Sequence, residues 1–566
     1  MRSPCALLLL AAACGHASPS RASSRILPDG GVPAPSSDPV QAAAELSDET
    51  HALLRAEGNL LWNRWTTGAG AMPASALGEH PWLAKRESLE LVAAAALKKP
   101  ESKPLMLLKQ RLATLLVSRE AGAEIDALER ARAQLSFAAE GDGAQERSER
   151  DIDRLLTDEP SAQKRAALAL AEAKAALPLG PLALARDAAV EKAIATLNLG
   201  GWSALEERAH GISLAELAAL AERTLVATET IGAKALSTTS VRNIGVPADR
   251  LRRSDLARLV RSALADAQFT AGRAWPSAKD VFTRIGVEQP QTLRIDAEPS
   301  PSKGARPLAL LVDPPVDVRL SLRPAGGFEE QRATFHEGAR AVGGTLADPR
   351  PWELAQLGDG SAAEGAAQLF EELAGDPSWL RETTQLRGEP LDDLVHTQAL
   401  RRLLSARRSA ALVLFEIQRR QGARTAEAQA ALYRSLVQRA TFAVLSDADA
   451  GRWALEADSF IRSAVPLLGA VLGAQLEARK TADGMPWWKS PESGKVLRKL
   501  WAGGRSLTAM EAARELGLVS LDPAALSSAA AAQLAYTAPE APPPTPKPDY
   551  KYMQGDKKRR RHRKKK

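Results

Sequence analysis

The sequence contains very little cysteine, few aromatic residues and no long apolar run. Its two cysteines, Cys5 and Cys14, both lie near the N-terminus, so the remainder of the chain has no disulfide and no thiolate metal site. Aromatic residues make up 4% of the chain, whereas Ala, Leu, Glu and Arg are abundant, which favours a mainly α fold. After the N-terminal residues, no segment reaches the ~18 unbroken apolar residues that a membrane-spanning helix requires.

The positive charge is concentrated at one end of the chain. The net charge is +7 at pH 7, and nine of the ten residues from Lys557 to Lys566 are Lys or Arg, so the rest is close to neutral. A folded region that binds nucleic acid is not indicated, and we expect no specific nucleic-acid partner. The tail is predicted to contact anionic lipid or another anionic polymer through non-specific, salt-sensitive interactions.

The first residues are typical of a bacterial export signal. Arg2 is followed by an apolar stretch from Ala6 to Ala13, whose last residues are small. Cys14 follows directly, which resembles a lipoprotein signal in which this cysteine is acylated after cleavage, although Leu10 lies one place earlier than usual. We therefore expect a lipidated Cys14 that anchors the protein to a membrane of the cell envelope, in the periplasm or at the outer membrane. Secretion after cleavage at Ala13 is the alternative.

Composition and periodicity divide the chain into five segments. We expect a signal peptide at 1–13, a disordered tether at 14–40, an N-terminal helical lobe at 41–290, a second, catalytic-type domain at 291–536, and a Pro-rich linker with the basic tail at 537–566. Apolar residues at helical spacing recur through most of 41–236 and 363–534. Ser161, which follows Pro160, is predicted to cap a helix.

The segment between about 290 and 342 changes from strand to helix. Residues 292–296 alternate, 308–312 form a short apolar run, and Val316 to Arg323 alternate strictly between apolar and polar residues. Pro324 to Gly327 then end the predicted strand. Glu329 to Val342 return to helical spacing. These patterns predict a small β-sheet beside one helix of a mainly α protein.

That helix carries most of a zinc-peptidase motif. In the pattern H-E-x-x-H, two histidines four residues apart bind one zinc ion, and the glutamate polarises the metal-bound water. Here His336 and Glu337 match the pattern, but Arg340 stands where the second histidine belongs. Arginine has no lone pair for a metal and carries a permanent charge. The motif therefore indicates a peptidase-like site that has lost one ligand.

Three further segments carry a resemblance to known peptidases. Glu364 to Glu371 resembles the E-x-x-S-Q-x-x-E pattern of thimet oligopeptidase and oligoendopeptidase F, with Ala367 in place of the serine. Asp317 to Leu320 resembles the D-V-R-I strand of the carboxypeptidase Taq group, and Ser490 to Leu497 resembles the S-x-E-A-G-x-x-L segment of angiotensin-converting-enzyme-like peptidases. The glycine of the family's H-E-x-G-H is one place early, at Gly338. The chain is thus identified as a degenerate member of the gluzincin superfamily.

The resemblance implies a fold and a set of roles. The fold is a mainly α, two-lobed zincin-like peptidase fold with a small β-sheet beside the active-site helix. In an active enzyme the zinc ligands are His336 and Glu364, with Arg340 in place of the third, and Glu337 is the general base. Gln368 and Glu371 lie at +4 and +7 from Glu364 and are predicted to support the site from the same helical face.

The groups that stabilise the oxyanion are also expected to be missing. The related peptidases use tyrosines, and often a histidine, from a later helix for this purpose. The corresponding region, Asp447 to Phe460, contains Trp453 but no Tyr and no His. We therefore expect no cofactor, with zinc only if the protein is active. We hypothesise that the Arg340 guanidinium takes the place of zinc and donates to Glu364; a surface position for Arg340 is the alternative.

Three functions remain open from the sequence. The first is an inactive, envelope-anchored peptidase relative that binds extended peptides in its cleft, with Val316 to Arg323 as the edge strand. The second is an active zinc metallopeptidase, and the third is a structural envelope lipoprotein whose tail binds surface polymers. His396 is a candidate replacement ligand, and Trp487-Trp488 marks either a ligand surface or a packing pair.

Overall fold

The structure is a computed structural model that describes residues 34–139, 145–288, 290–422, 424–479 and 481–539. The predicted signal peptide, the lipidation site Cys14 and the basic tail from Lys557 to Lys566 lie outside the described residues. The bounds of all helices and strands below refer to these ranges.

The described residues form a mainly α fold with two small β-sheets, which confirms the predicted fold class. The first helices are α1 Pro39–Thr67, α2 Arg86–Lys98, α3 Lys103–Glu120, α4 Gly122–Ala133, α5 Ile152–Asp158, α6 Ala162–Ala176, α7 Leu179–Thr196, α8 Trp202–His210, α9 Leu214–Ala227, α10 Glu229–Ile244, α11 Leu256–Leu259 and α12 Ala274–Arg284. The later helices are α13 Phe328–Thr345, α14 Trp352–Gln356, α15 Ser361–Leu373, α16 Pro377–Thr383, α17 Glu389–Gln421, α18 Ala426–Thr441, α19 Asp447–Gly451, α20 Trp453–Glu456, α21 Ala464–Glu477, α22 Pro491–Ala502, α23 Ala509–Glu515 and α24 Ala524–Ala535. The strands are β1 Ser136–Phe137, β2 Arg147–Ser148, β3 Leu293–Asp296, β4 Leu308–Asp313 and β5 Asp317–Ser321.

Short side chains and proline explain where several helices begin. The hydroxyl of Ser161 accepts a hydrogen bond from the backbone N–H of Lys164 at 3.3 Å, which confirms the predicted cap of α6. Asp38 caps α1 in the same way, by accepting from the N–H of Gln41 at 3.0 Å. Pro39 follows that cap at the first helical position, where its missing N–H has no consequence.

The second sheet has the order β3-β5-β4, so β5 is its central strand. β3 runs parallel to β5 and β4 runs antiparallel to it. The strand predicted over Val316 to Arg323 is confirmed as β5, but its predicted position at the edge of the sheet is wrong. Alternation shows that the two faces of a strand differ in burial, and it carries no information about how many neighbours the strand has.

The sheet lies between α1 and α13. On the outer face, Leu310 and Val312 of β4 pack against Leu61 of α1 in a small cluster. On the inner face, the side chain of Leu311 contacts α13 at Gly344, where an added Cβ would lie 2.2 Å from the leucine Cδ2. Gly344 therefore allows α13 to approach the sheet closely, which places the motif helix directly beneath β4.

Two helices, α15 and α17, each pack against several others. α15 packs between α13 and α21, and the 33-residue helix α17 packs against α9, α10, α18, α21 and α24. Helices from both sides of the predicted boundary at 290 thus pack together. No single described helix is long and apolar enough to cross a membrane. Helices α6 and α7, with a bend of 47° between them, reach the necessary length and apolar composition only together.

Candidate functional site

The contact between α13 and α15 brings the predicted site residues together. Residues four apart share one helical face, so Arg332, His336 and Arg340 form a stripe along α13. Glu364 and Glu371 of α15 lie opposite this stripe. A stripe of cationic and imidazole groups therefore faces a stripe of carboxylates across a buried helix contact.

His336 lies between two carboxylates of α15. Its Nδ1 is 2.6 Å from Oε2 of Glu371, and because a carboxylate only accepts, Nδ1 is the donor. Its Nε2 is 3.6 Å from Oε2 of Glu364 and 4.0 Å from Oε1 of Glu337. Glu371 thus orients the ring so that Nε2 points at the other two carboxylates, as outer carboxylates do for metal-binding histidines.

Arg340 lies next to Glu337 and is mostly buried. Its side chain is 12% exposed, and its Nη1 donates to Oε1 and Oε2 of Glu337 at 3.3 and 3.4 Å. The guanidinium thus pairs with Glu337, one turn earlier on the same helix, and its charge also acts on Glu364, the partner expected from the sequence. Glu337 also accepts from the backbone N–H of Ala309 in β4 at 2.8 Å, which links α13 to the sheet.

Glu364 is buried and stays ionised because of its neighbours. Burial alone would raise the pKa of Glu364, but the charge and hydrogen bond of His336 and the charge of Arg340 lower it to about 2. The amide of Gln368 also donates to Oε1 of Glu364 at 3.1 Å, as expected from its place one turn later. Gly469 of α21 lies against Glu364, since an added Cβ would be 2.5 Å from its Cγ.

A second ring of charges continues the network along α13. Arg332 pairs with Glu371, the carboxylate that orients His336, and with Glu329 at 3.0 Å. Arg401 of α17 also binds Glu329. The side chain of Glu329 is 51% exposed, and the charges of Arg401 and Arg332 lower its pKa to about 2. Each carboxylate of the network therefore has a cationic or imidazole neighbour.

The donor set does not fit zinc. Ligands about 2.0–2.2 Å from a tetrahedral zinc lie roughly 3.3–3.6 Å apart, so the 3.6 Å between Nε2 of His336 and Oε2 of Glu364 is the spacing of a ligand pair. The third position, however, holds the guanidinium of Arg340, a permanent cation without a lone pair. Among the described residues, no group of three His, Cys, Asp or Glu side chains has a metal-binding arrangement.

The other residues singled out from the sequence do not join this site. Nε2 of His396 lies 3.1 Å from the backbone carbonyl of Tyr536, so its predicted alternative role as a ligand is not supported by its position. Trp487 packs edge-on against Phe370 with ring centroids 5.1 Å apart, and Trp488 is buried beneath Arg284. The tryptophan pair therefore belongs to the core.

The region matched to the oxyanion helix also lies elsewhere. α19 and α20, which cover most of Asp447 to Phe460, pack against α6, α7 and α18. The helix beside α15 is instead α21, whose sequence contains neither Tyr nor His. Tyr433 lies on α18 and packs against Phe415. The predicted position was therefore wrong, but the helix that replaces it also lacks these oxyanion donors.

A second histidine between carboxylates was not found from the sequence. His210 at the end of α8 has Nε2 3.7 Å from Glu206 and Nδ1 3.4 Å from Asp359, and all three side chains are buried. Burial would lower the pKa of His210, but the two carboxylates raise it to about 9. Glu206 and His210 lie four residues apart on one helix, a visible but common signal. Asp359 is distant in sequence, and nothing marks it as their partner.

Comparison with known proteins gives no assignment of this chain. No protein-family model matches it, and no curated protein is significantly similar to it.

Proposed function

We propose that this protein is a non-catalytic relative of the oligopeptidase and converting-enzyme zincins. The observation that carries the proposal is the Glu371–His336–Glu364 arrangement, which has the ligand spacing and the outer carboxylate of a zinc site. Arg340 takes the third position and pairs with Glu337, the residue that would act as general base. A base held by an arginine and by a backbone N–H is not available to activate water.

A structural role is favoured over peptide binding at the sheet. The proposed peptide-binding strand, β5, has a neighbour on both sides. On the edge strand β4, the N–H of Ala309 is bound by Glu337 and the carbonyl of Val312 accepts from Gln356 at 2.7 Å. An extended peptide must displace both side chains before it adds to this edge. We therefore propose that the former catalytic centre now joins α13, α15 and the sheet.

Peptide cleavage tests the loss of catalysis. The full chain and its Glu337→Gln variant are assayed on a mixed fluorogenic peptide library, with and without added zinc. We expect the same background from both proteins in both conditions, since neither has an activated water. Cleavage that requires zinc and disappears in Glu337→Gln would show an active metallopeptidase and refute the proposal.

We further propose that the protein is anchored to the bacterial envelope through acylated Cys14, on the strength of its signal-like N-terminus. In the native host, a Cys14→Ser variant is expected to leave the membrane fraction and to lose the mass of the acyl chains. Unchanged membrane retention with no lipid on the wild-type cysteine would refute this anchor and leave the basic tail as the attachment to test.

A further inference from the structure

Four apolar side chains near the ends of helices are strongly exposed. Val519, which follows α23, is fully exposed, and Leu97 in the last turn of α2 is 81% exposed. Met106 in the first turn of α3 and Met485 in the loop before α22 are exposed by 53% and 50%. Single exposed apolar residues are ordinary on protein surfaces, so these four are informative only if they lie together.

Ion pairs join the segments that carry them around α23. Glu511 of α23 pairs with Lys103 of α3 at 2.7 Å, and Glu515, one turn later, pairs with Lys499 of α22 at 3.4 Å. The turn between α2 and α3 therefore lies beside one end of α23, and α22 lies beside the other. We define the α23 surface as the turn from Leu97 to Met106, helices α22 and α23, the loop before α22 and the loop after α23.

The loop after α23 is held in place by the end of α21. The amide of Gln475 donates to the carbonyl of Ser520 at 3.1 Å, and Nη1 of Arg479 donates to the carbonyl of Leu516 at 3.2 Å. Val519 lies between these two bonded residues, so its exposed side chain has a defined position on the surface. Such a side chain gains free energy when it leaves water for an apolar phase.

The loop before α22 is fixed in a similar way. The hydroxyl of Thr481 donates to the carbonyl of Met485 at 2.6 Å, and Asp483 accepts from the N–H of Met485 at 3.0 Å. Glu492 of α22 accepts from the N–H of Ala482 at 2.6 Å, which ties the loop to the helix. Both loops of the α23 surface thus present an exposed apolar side chain from a hydrogen-bonded backbone.

Positive charge is concentrated on the same surface. The sequence from Arg479 to Arg505 contains seven Lys or Arg and only two acidic residues, in a chain that is close to neutral outside its tail. Lys495 of α22, Arg514 of α23 and Lys99 of the α2–α3 turn are all exposed. The apolar side chains of the α23 surface are therefore surrounded by cations.

We propose that the α23 surface docks on an anionic lipid bilayer, with Leu97 and Val519 entering the headgroup region while the lysines and arginines contact lipid phosphates. A bilayer offers anionic groups above an apolar interior and so complements both features, whereas a hydrophilic polymer complements only the charges. The proposed anchor agrees with this orientation. Lys98 of α2 lies 3.7 Å from Asp38, the cap of α1, so the segment that follows Cys14 joins the fold beside this surface.

Cosedimentation with lipid vesicles tests the proposal. The full chain is used without its acyl group, as Cys14→Ser, and is mixed with vesicles of phosphatidylcholine alone or with added phosphatidylglycerol. We expect binding only to the anionic vesicles. In this background, Leu97→Ser with Val519→Ser is expected to weaken binding about tenfold, because both apolar contacts are lost.

A charge variant and a matched control complete the set. Lys99→Glu with Lys495→Glu is expected to weaken binding about thirtyfold or more. Leu264→Ser is the control, because Leu264 is 76% exposed in Ala263–Gln268, a segment that packs against α13 and α17, away from the α23 surface. We expect it to bind within about twofold of the parent. All replaced side chains are exposed, so every variant is expected to unfold at the temperature of the parent.

The basic tail also attracts anionic lipid, and hydrogen exchange separates the two contributions. Anionic vesicles are expected to slow the exchange of backbone amides in 97–106 and 516–520 of the parent, which binding through the tail alone leaves unchanged. The proposal is overturned if the parent binds neither vesicle, or if both double variants bind like Leu264→Ser. It is also overturned if only the charge variant is weakened, since the surface then contacts an anionic polymer without insertion. None of these results bears on the anchor at Cys14, which the membrane fraction tests separately.

Discussion

Two buried histidines of this protein lie between carboxylates, and their surroundings differ. His336 contacts Glu371 and Glu364, and arginines of the same helix lie one turn before and one turn after it. His210 contacts Glu206 and Asp359, which also accept from neutral donors: the N–H of Ile461 for Glu206 and the N–H and hydroxyl of Ser361 for Asp359. In the first centre the positive charge is shared among several groups, whereas in the second the imidazole lies directly between both carboxylates.

The neighbours in each centre act on the pKa of one of its members. In the His210 centre the two carboxylates raise the pKa of the histidine to about 9, against the effect of burial. In the His336 centre the pKa of Glu364 is lowered to about 2, against the effect of burial, because both His336 and Arg340 act on this carboxylate. A histidine that lies between two buried carboxylates is expected to matter more to its centre when no arginine of its own helix assists it.

Removal of the two histidines gives the largest expected effect. His210→Leu removes the imidazole that lies between the buried carboxylates of Glu206 and Asp359, and we expect the free energy of unfolding to fall by about 3–5 kcal/mol. His336→Leu leaves Arg340 and Arg332 beside its carboxylates, so we expect a smaller loss of about 1–2 kcal/mol. Urea unfolding of both variants measures the difference. An equal or larger loss for His336→Leu would show that the arginines do not share the charge.

The pH dependence of stability separates the two centres. The pKa of His210 in the folded protein is raised from 6.5 to about 9. The charged histidine therefore contributes fully to the free energy of unfolding below pH 6.5, and this contribution disappears as the pH rises through 9. The contribution is roughly 3 kcal/mol. The pKa of Glu364 is lowered from 4.5 to about 2. Its ionised form therefore contributes fully to the stability of the fold above pH 4.5, and this contribution is lost as the pH falls through 2.

Variants assign each pH limb to its residue. In His210→Gln, the free energy of unfolding is expected to fall less as the pH rises toward 9 than it does in the wild type. In Glu364→Gln, it is expected to fall less as the pH drops toward 2. An alkaline limb that is unchanged in His210→Gln would show that this histidine is not charged in the folded protein.

Gly469 offers a steric test that is confined to the His336 centre. Gly469→Ala places a methyl group 2.5 Å from Cγ of Glu364, so the helices must shift, and we expect a loss of about 1–3 kcal/mol. Gly180→Ala on α7 is the matched control, because its new Cβ meets Trp453 at an ordinary 3.6 Å. Denaturant unfolding compares the two. Similar stabilities would mean that Glu364 moves freely and is not held by the network.

Substitution of Gln368 is expected to cause the smallest loss of stability. Gln368→Ala removes one hydrogen bond to Glu364, which keeps His336 and Arg340 nearby, so we expect a loss of about 1 kcal/mol. The measurement is urea unfolding at neutral pH. A loss as large as that of His210→Leu would indicate that the amide, rather than the cations, holds this carboxylate.

The sequence predicts much of the His336 centre because its residues follow helical spacing. The i, i+4 and i+7 rules placed Gln368 and Glu371 on the face of Glu364, and the motif placed His336, Glu337 and Arg340 on one helix. Two details depended on tertiary structure. The pairing of Arg340 with Glu337 was not expected from the motif, and the central position of β5 depends on strand neighbours.

The His210 centre was not predictable because its third member comes from a distant segment. Asp359 precedes α15 and reaches α8 only through the packed fold. The same holds for Lys303, whose buried ammonium donates to the carbonyls of Asp296, Glu298 and Leu322 and pairs with the Asp296 carboxylate. Such contacts join residues that are far apart in sequence and follow no local pattern, so they become visible only in the folded structure.

The zinc content of the purified protein shows whether Arg340 stands in the place of a metal ligand in the His336 centre. The full-length wild type and its Arg340→His variant are purified under the same conditions, and zinc per chain is measured by atomic emission. We expect no zinc in the wild type and a stoichiometric amount in the variant, in which the third ligand is restored. Stoichiometric zinc in the wild type would show that Arg340 does not exclude the metal.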